Sequence, residues 1–269
     1  MSTDSLLKNR NFVFFLSIRW FYSVAIQSIT LTVGWQVYIL TGNPLDLGLI
    51  GLAQVFPIFL FILPSGVIAD KFDRKIVICL CTIVHLLVAV YLLYYSLSGP
   101  TSIWPILIAL LVHGTARAMY QPSLSAILPN IVEKKVFPNA TAYNSSVGKL
   151  GHLIGPLISG VIISFYDTKV YIFAIICFAI STISTLFLKN PKNPNNLKSV
   201  SLSVVISGFV YVWKTRLVLG TMSIDLFAVL FGGIMGMLPI FAIDILKIGP
   251  EGLGLLRTMP AVGGVLTGI

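Results

Sequence analysis

The feature that most constrains this chain is a succession of apolar runs, each long enough to cross the hydrocarbon core of a bilayer. A spanning helix needs about 20 mostly apolar residues, and seven complete candidates stand between polar or Pro/Gly-rich breaks. They cover roughly residues 12–40, 45–64, 76–97, 103–124, 138–165, 171–188 and 217–241, and an eighth begins near Leu253. With 57% hydrophobic and 10% charged residues, the composition excludes a soluble fold and predicts an all-α protein whose surroundings are the lipid bilayer.

The basic residues are distributed asymmetrically about these runs. The formal net charge is +9, from 18 Lys and Arg against 9 Asp and Glu. If the N-terminus is cytoplasmic, twelve basic residues lie on the cytoplasmic side and two (Lys169 and Lys247) lie on the outer side. The other four lie inside spans: Arg19, Arg117, Lys149 and Arg257. This bias predicts a multi-pass chain with a cytoplasmic N-terminus, and it explains the basic residues better than binding to nucleic acid does.

A polar segment and an internal repeat indicate how the chain is organised. We expect residues 1–188 to form a six-helix bundle, 189–216 a cytoplasmic linker, and 217–269 the start of a second bundle. Residues 39–50 resemble residues 245–256 at an offset of 206, with six identities in twelve positions. Chance similarity between two Leu/Gly-rich hairpins is the alternative. Duplication predicts a complete chain of about 412 residues, of which this sequence would be a C-terminally truncated part.

The loop after the second span mixes acids and bases beyond what orientation requires. It runs from Gly66 to Lys75 with the sequence GVIADKFDRK. This resembles the signature loop of the major facilitator superfamily, G-x-L-A-D-R-x-G-R-R/K, with Asp73 in place of the second Gly. The resemblance implies the major facilitator fold, here a six-helix half and about two helices of the other half. We expect Gly66, Asp70, Arg74 and Lys75 to act as a gating loop, in which Asp70 accepts charge-assisted hydrogen bonds.

The fifth span carries a second motif, GHLIGPLISG at residues 151–160. Gly151, Gly155 and Ser159 recur every four residues, which permits close helix approach, and Pro156 removes a backbone hydrogen bond. Ordinary helix packing would explain the small residues alone. The run is also similar to the antiporter motif of the same superfamily, G-x-x-x-G-P-x-x-G-G, which favours export. The residues assigned to it are Gly151, His152, Gly155, Pro156 and Gly160.

Polar side chains recur on single faces of three spans. Span one has Arg19, Ser23, Gln27, Thr30 and Gly34 at helical spacing; span four has His113, Arg117 and Gln121; span seven has Thr221 and Asp225. Charged groups inside a membrane are functional candidates by default, although buried structural ion pairs and snorkelling are the alternatives.

In the superfamily these three spans line the central cavity, so the resemblance implies a shared space. We predict a substrate and proton-coupling cavity built by Arg19, Gln27, Arg117, Gln121 and Asp225. Asp225 would pair with Arg117 or Arg19 until it is protonated. The sequence predicts no catalytic residue, metal ligand or cofactor site.

Within the superfamily the chain looks like the bacterial exporters that include the enterobactin exporter and macrolide efflux proteins, on residues 35–42, 121–123 and 225–233. The resemblance implies a secondary active transporter of the bacterial cytoplasmic membrane. It would export a drug or siderophore against protons by alternating access. A metabolite importer and a non-transporting fragment are the alternatives. The chain has neither a phosphate-binding loop for an ATP-driven pump nor a hydrolase signature.

Overall fold

The computed structural model describes residues 6–189, 213–216, 218–221, 223–224 and 234–266. The described part consists of helices and their connections, with no strand, which confirms the all-α prediction. The helices are α1 (Arg10–Thr41), α2 (Pro44–Lys71), α3 (Arg74–Leu97), α4 (Trp104–Ile131), α5 (Phe137–Tyr166), α6 (Val170–Phe187), α7 (Ile234–Ile240) and α8 (Gly249–Leu266). A π-helical turn, Phe241–Ile245, continues α7.

The first six helices match the first six apolar runs, and the eighth starts four residues before the position expected from the sequence. Within the part of the chain that the structure describes, four stretches are long and apolar enough to cross a membrane: Arg10–Thr41, Pro44–Phe61, Arg74–Leu97 and Lys134–Phe187, the last of which contains α5 and α6. Helix α4 is not among them, since His113, Arg117 and Gln121 lower its hydropathy. Residues 217, 222 and 225–233 of the predicted seventh span and residues 190–212 of the predicted linker lie outside the described residues.

Helix boundaries follow local chemistry. Asn9 caps α1 by accepting hydrogen bonds from the backbone N–H groups of Asn11 (3.0 Å) and Phe12 (3.4 Å). Gly42, at φ 61°, ends α1 in the left-handed conformation that glycine adopts without a steric cost. Asp73 caps α3 by accepting from the N–H of Lys75 at 2.9 Å. The residue that departs from the superfamily loop therefore has a local structural role.

Helix α1 lies at the centre of the first bundle, where it packs on α5 and α6. Helix α3 packs on α4 and α6, α2 packs on α4, and α8 packs on α5. We call the end where α1 and α3 begin the basic end, and the end where α1 finishes at Thr41 the opposite end. This arrangement places the polar faces of α1, α4 and α5 around a common space.

Small residues of α5 allow it to approach two helices closely. A Cβ added at Gly151 would lie 2.6 Å from the Cβ of Ser23 on α1, and one at Gly155 would lie 2.8 Å from the Cβ of Gln27. On α8, a Cβ at Gly254 would lie 2.7 Å from the carbonyl oxygen of Pro156. The small residues of α5 therefore contact both α1 and α8, as close membrane-helix packing requires.

Candidate functional site

Side chains of α1, α2, α4 and α5 line a cavity of about 460 Å³. Arg19 lies nine residues into the 32-residue α1, about 14 Å from its start. The cavity is therefore in the basic half of the bundle. Its lining consists of Arg19, Tyr22, Ser23, Ile26, Ile58, Ser65, Arg117, Ala118, Gln121, Pro122 and His152. The polar and apolar surfaces together suit an amphipathic molecule.

Arg19 is held between α4 and α5. Its Nη1 donates to Oε1 of Gln121 at 3.2 Å, while its Nε is buried without a hydrogen-bond partner. Gly148 of α5 makes room for the guanidinium, because a Cβ there would lie 2.8 Å from both Nε and Nη2 of Arg19. The structure thus brings together Arg19 and Gln121, which the sequence assigned to the same cavity.

Gln27 is not among the residues that line the cavity, but it contacts His152, which is. The amide nitrogen of Gln27 lies 2.9 Å from Nδ1 of His152. The sequence assigned Gln27 to the polar face of the first span and His152 to the antiporter motif of the fifth span. The structure places the two predicted groups in contact, so one α1–α5 interface contains residues of both.

Arg117 lines the cavity together with Arg19. It makes no hydrogen bond or ion pair within the described part of the chain. Asp225, the predicted partner of either arginine, lies outside the described residues. Its pairing and its protonation therefore stay predictions.

His113 lies in a different place from the rest of its predicted stripe. It is 1% exposed and does not line the cavity. Its ring packs edge-on against His85 of α3, with 4.5 Å between ring centroids. His85 in turn lies 3.4 Å from the hydroxyl of Tyr22 and 2.6 Å from the carbonyl oxygen of Cys81. The packing of α3 on α4 buries this side of α4, so only Arg117 and Gln121 of the stripe reach the cavity.

A smaller cavity of about 120 Å³ lies nearer the opposite end. Gln54 of α2 lines it and is 5% exposed, and the hydroxyl of Thr30 donates to its Oε1 at 3.5 Å. Arg257 of α8 also lines this cavity. The sequence identified Arg257 only as a charge inside a span, and it did not point to Gln54. The sequence feature that could have identified Gln54 is its amide side chain inside the second apolar run.

Most of the predicted gating loop is helical: residues 66–71 belong to α2, Arg74 and Lys75 begin α3, and Phe72 and Asp73 connect the two helices. Arg74 donates from Nη1 to the carbonyl oxygen of Ala126 near the end of α4, at 2.8 Å. Lys75 donates from Nζ to the carbonyl oxygen of Leu186 in the last turn of α6, also at 2.8 Å. Both cations thus satisfy carbonyl groups at helix C-termini. Gly66 lies in α2 with open space around its Cα, and the Asp70 side chain lies outside the described residues.

The antiporter residues divide between two interfaces. Gly151 and Gly155 pack on α1, and the Ser159 hydroxyl donates to Oγ of Ser28 at 2.7 Å. A Cβ at Gly160 would lie 2.6 Å from the carbonyl oxygen of Pro250 at the start of α8. Pro156 lies inside α5 and contributes its carbonyl oxygen to the contact with Gly254. The motif is therefore a packing surface along most of its length, with His152 as its cavity-lining side chain.

At the opposite end, α1 contacts the π-helical turn after α7. The Tyr38 hydroxyl donates to the Asp244 carboxylate. These residues are 206 positions apart, and they immediately precede the two repeated segments. Contact between equivalent positions is what two halves related by a two-fold axis produce on that axis.

Comparisons with known proteins identify a family and several relatives. A family model described as transmembrane secretion effector matches residues 11–269. The Staphyloferrin A transporter of Staphylococcus aureus is 29% identical over 239 residues, which cover 86% of this chain and 59% of that protein. Macrolide efflux protein A of Streptococcus pyogenes is 20% identical over 161 residues, which cover 60% of this chain and 40% of that protein.

A solved structure shares the fold. It is a bacterial homologue of the human lysosomal transporter Spinster, described as inward-facing and unoccupied. The TM-score is 0.69 at 17% identity, and the match covers 95% of this chain and 61% of that one. The chain thus spans about three fifths or less of the length of each of these proteins.

Proposed function

The chain belongs to the transmembrane secretion effector family and has the major facilitator fold, and we propose that it acts in proton-coupled export of a drug or siderophore by alternating access. The family match over residues 11–269 agrees with the resemblance drawn from the signature loop. The names of the two relatives supply the substrate classes. Since the chain spans 59% and 40% of those relatives, transport is proposed and does not follow from similarity alone.

The observation that carries the proposal is the unequal distribution of space along the bundle. The larger cavity lies in the basic half. In the opposite half, Tyr38 contacts Asp244, and Gly160 and Gly254 allow α5 and α8 to pack backbone to backbone. Alternating access requires a state in which the bundle is open at one end and its helices are in contact at the other end. The Spinster homologue, described as inward-facing, supports assigning this state to the chain.

We assign the basic end to the cytoplasm of a bacterial cell, with the chain in the cytoplasmic membrane. The asymmetry of twelve basic residues against two supports this orientation. With that orientation, the cavity would receive substrate from the cytoplasm. Protons are the proposed coupling ion, with Asp225 as the proposed carrier.

Transport in everted membrane vesicles tests the proposal. Vesicles containing this chain would be energised to an acidic interior, and radiolabelled erythromycin and staphyloferrin A would be supplied outside. We expect accumulation of one of them that an uncoupler abolishes and that Asp225→Asn reduces at least tenfold. Accumulation unaffected by the uncoupler would contradict proton coupling, and accumulation only in right-side-out vesicles would indicate import.

A second preparation tests the fragment alternative. Vesicles containing the chain together with the remaining helices of a complete relative would be compared with vesicles containing the chain alone. Transport only in the combined preparation would identify the chain as a part that needs those helices. Transport in neither would overturn the proposed function.

A further inference from the structure

The cavity between α1, α2, α4 and α5 is lined by two arginines and by no described acid. Arg19 and Arg117 both line it, and none of its eleven lining residues is Asp or Glu. Asp225 and the side chain of Asp70 lie outside the described residues. Among the described lining residues, the charge of the cavity is therefore positive.

The arginines have hydrogen-bond donors to spare. A guanidinium carries five N–H donors, and Arg19 uses one of them on Gln121. Its Nε is buried with no partner, and Arg117 donates to no residue that the structure describes. Unsatisfied donors in a low-dielectric site are costly, so a ligand that accepts from them is stabilised.

Neighbouring residues on two helices fix the position of the Arg19 side chain. Gly148 leaves the space that the guanidinium occupies against the α5 backbone, and Gln121 holds Nη1 from the other side at 3.2 Å. A side chain held by neighbours on two helices loses little further freedom when it binds a ligand. This arrangement distinguishes Arg19 from an arginine that snorkels to the membrane surface.

We propose that the cavity binds the oxyanion of an amphipathic small molecule, specifically a carboxylate paired with Arg19 and Arg117. The planar guanidinium matches a carboxylate through two parallel N–H···O bonds. Tyr22, Ile26 and Ile58 form an apolar wall for the remainder of the molecule. This inference rests on the proposed function and narrows its substrate class to carboxylate anions.

A matched set of probes tests the charge preference. 1-Naphthaleneacetate, 1-naphthaleneacetamide and 1-naphthylmethylamine share one ring system and are anionic, neutral and cationic. Binding of each would be measured at equilibrium to this chain in nanodiscs of phosphatidylcholine. We expect the carboxylate to bind at least tenfold more tightly than the amide, and the amine to bind most weakly, because charged hydrogen bonds are the stronger ones. Equal affinities, or a preference for the amine, would overturn the proposal.

Variants of the arginines test where the carboxylate probe binds. Arg19→Gln and Arg117→Gln should each weaken binding of the carboxylate about tenfold and leave the amide unchanged. Arg19→Lys keeps the charge and loses the forked geometry, so it should lie between wild type and Arg19→Gln. The matched control is Arg257→Gln, an arginine inside a span that lines the other cavity. A loss with Arg257→Gln equal to that with Arg19→Gln would contradict the assigned site.

An anionic lipid headgroup could supply the same oxyanion. Nanodiscs with phosphatidylglycerol separate the two sources, because a bound headgroup would compete with the naphthaleneacetate and a small-molecule site would not. Competition that disappears in Arg19→Gln would assign the site to lipid and overturn the small-molecule proposal. Proton-driven accumulation of erythromycin without carboxylate preference would reject this inference alone and leave the proposed function standing.

Discussion

The two halves of the bundle use their polar residues in different ways. In the basic half, Arg19, Arg117 and His152 line open space. In the opposite half, Tyr38 and Asp244 satisfy each other, and glycines replace side chains where α5 meets α8. The comparison shows that arginines line the larger space in the basic half, whereas Gly160 and Gly254 bring α5 and α8 together in the opposite half.

Gly160→Leu is expected to have the largest effect, on the opposite half of the bundle where α5 contacts α8. A Cβ alone would lie 2.6 Å from the carbonyl oxygen of Pro250, so a leucine has to push α8 away from α5. We expect a loss of about 3 kcal/mol or more in stability. The monodisperse fraction in detergent and the melting temperature measure it.

Gly48→Leu is the matched control, because the space around Gly48 is open. A melting temperature for Gly160→Leu equal to that of Gly48→Leu would mean that α5 and α8 do not pack as described.

Gly148→Ala tests the open half without changing any charge. The new methyl group would overlap the position of the Arg19 guanidinium, which has to move. We expect a cost of about 1–2 kcal/mol and a matching loss of affinity for 1-naphthaleneacetate of about fivefold to thirtyfold. Gly51→Ala, where the space is open, should change neither quantity. An unchanged affinity in Gly148→Ala would show that the position of Arg19 does not matter for binding.

Tyr38→Phe removes the hydrogen bond that joins α1 to the turn after α7. A hydrogen bond to a carboxylate contributes about 1.5–3 kcal/mol when both partners are well placed, and we expect about 1–2 kcal/mol here because the pair is half-buried. A double-mutant cycle with Asp244→Ala, followed by chemical unfolding, isolates the coupling. If the two effects add to within about 0.3 kcal/mol, the pair does not hold this end closed.

Asp73→Ala has the smallest expected effect. Loss of the α3 cap should cost about 1 kcal/mol, whereas Asp73→Gly, which restores the superfamily residue, should cost a few tenths. Thermal melting of both variants measures the difference. Equal destabilisation by Ala and Gly would show that Asp73 contributes something other than a helix cap.

Most of the fold could be predicted from the sequence because the bilayer imposes a length and a polarity on every spanning helix. The first six apolar runs became α1 to α6, but α2 and α4 each end seven residues later than expected, at Lys71 and Ile131. The face that contains Arg19 and Gln27 could be predicted for the same reason, since a helix repeats every 3.6 residues. Roles that the sequence assigned to Asp70 and Asp225 remain predictions.

Other parts of the site depend on which helices are neighbours, and periodicity along one helix does not contain that information. His113 and Arg117 are one helical turn apart on the same face of α4. His113 nevertheless packs in the core against His85, because α3 covers that part of α4. Gln54 and the pairing of Gln27 with His152 likewise required the placement of α2 and α5.

The sequence by itself determined that this chain lies in a membrane, approximately where its first six helices lie, and which charges remain inside it. Hydrophobic length and the cost of a buried charge decide these matters locally, one segment at a time. Only the tertiary structure decided which of those charges share a cavity, which glycines bring backbones together, and which end of the bundle is closed. Such contacts join residues more than a hundred positions apart, as with Arg19 and Gln121 or Tyr38 and Asp244, and packing alone brings them together.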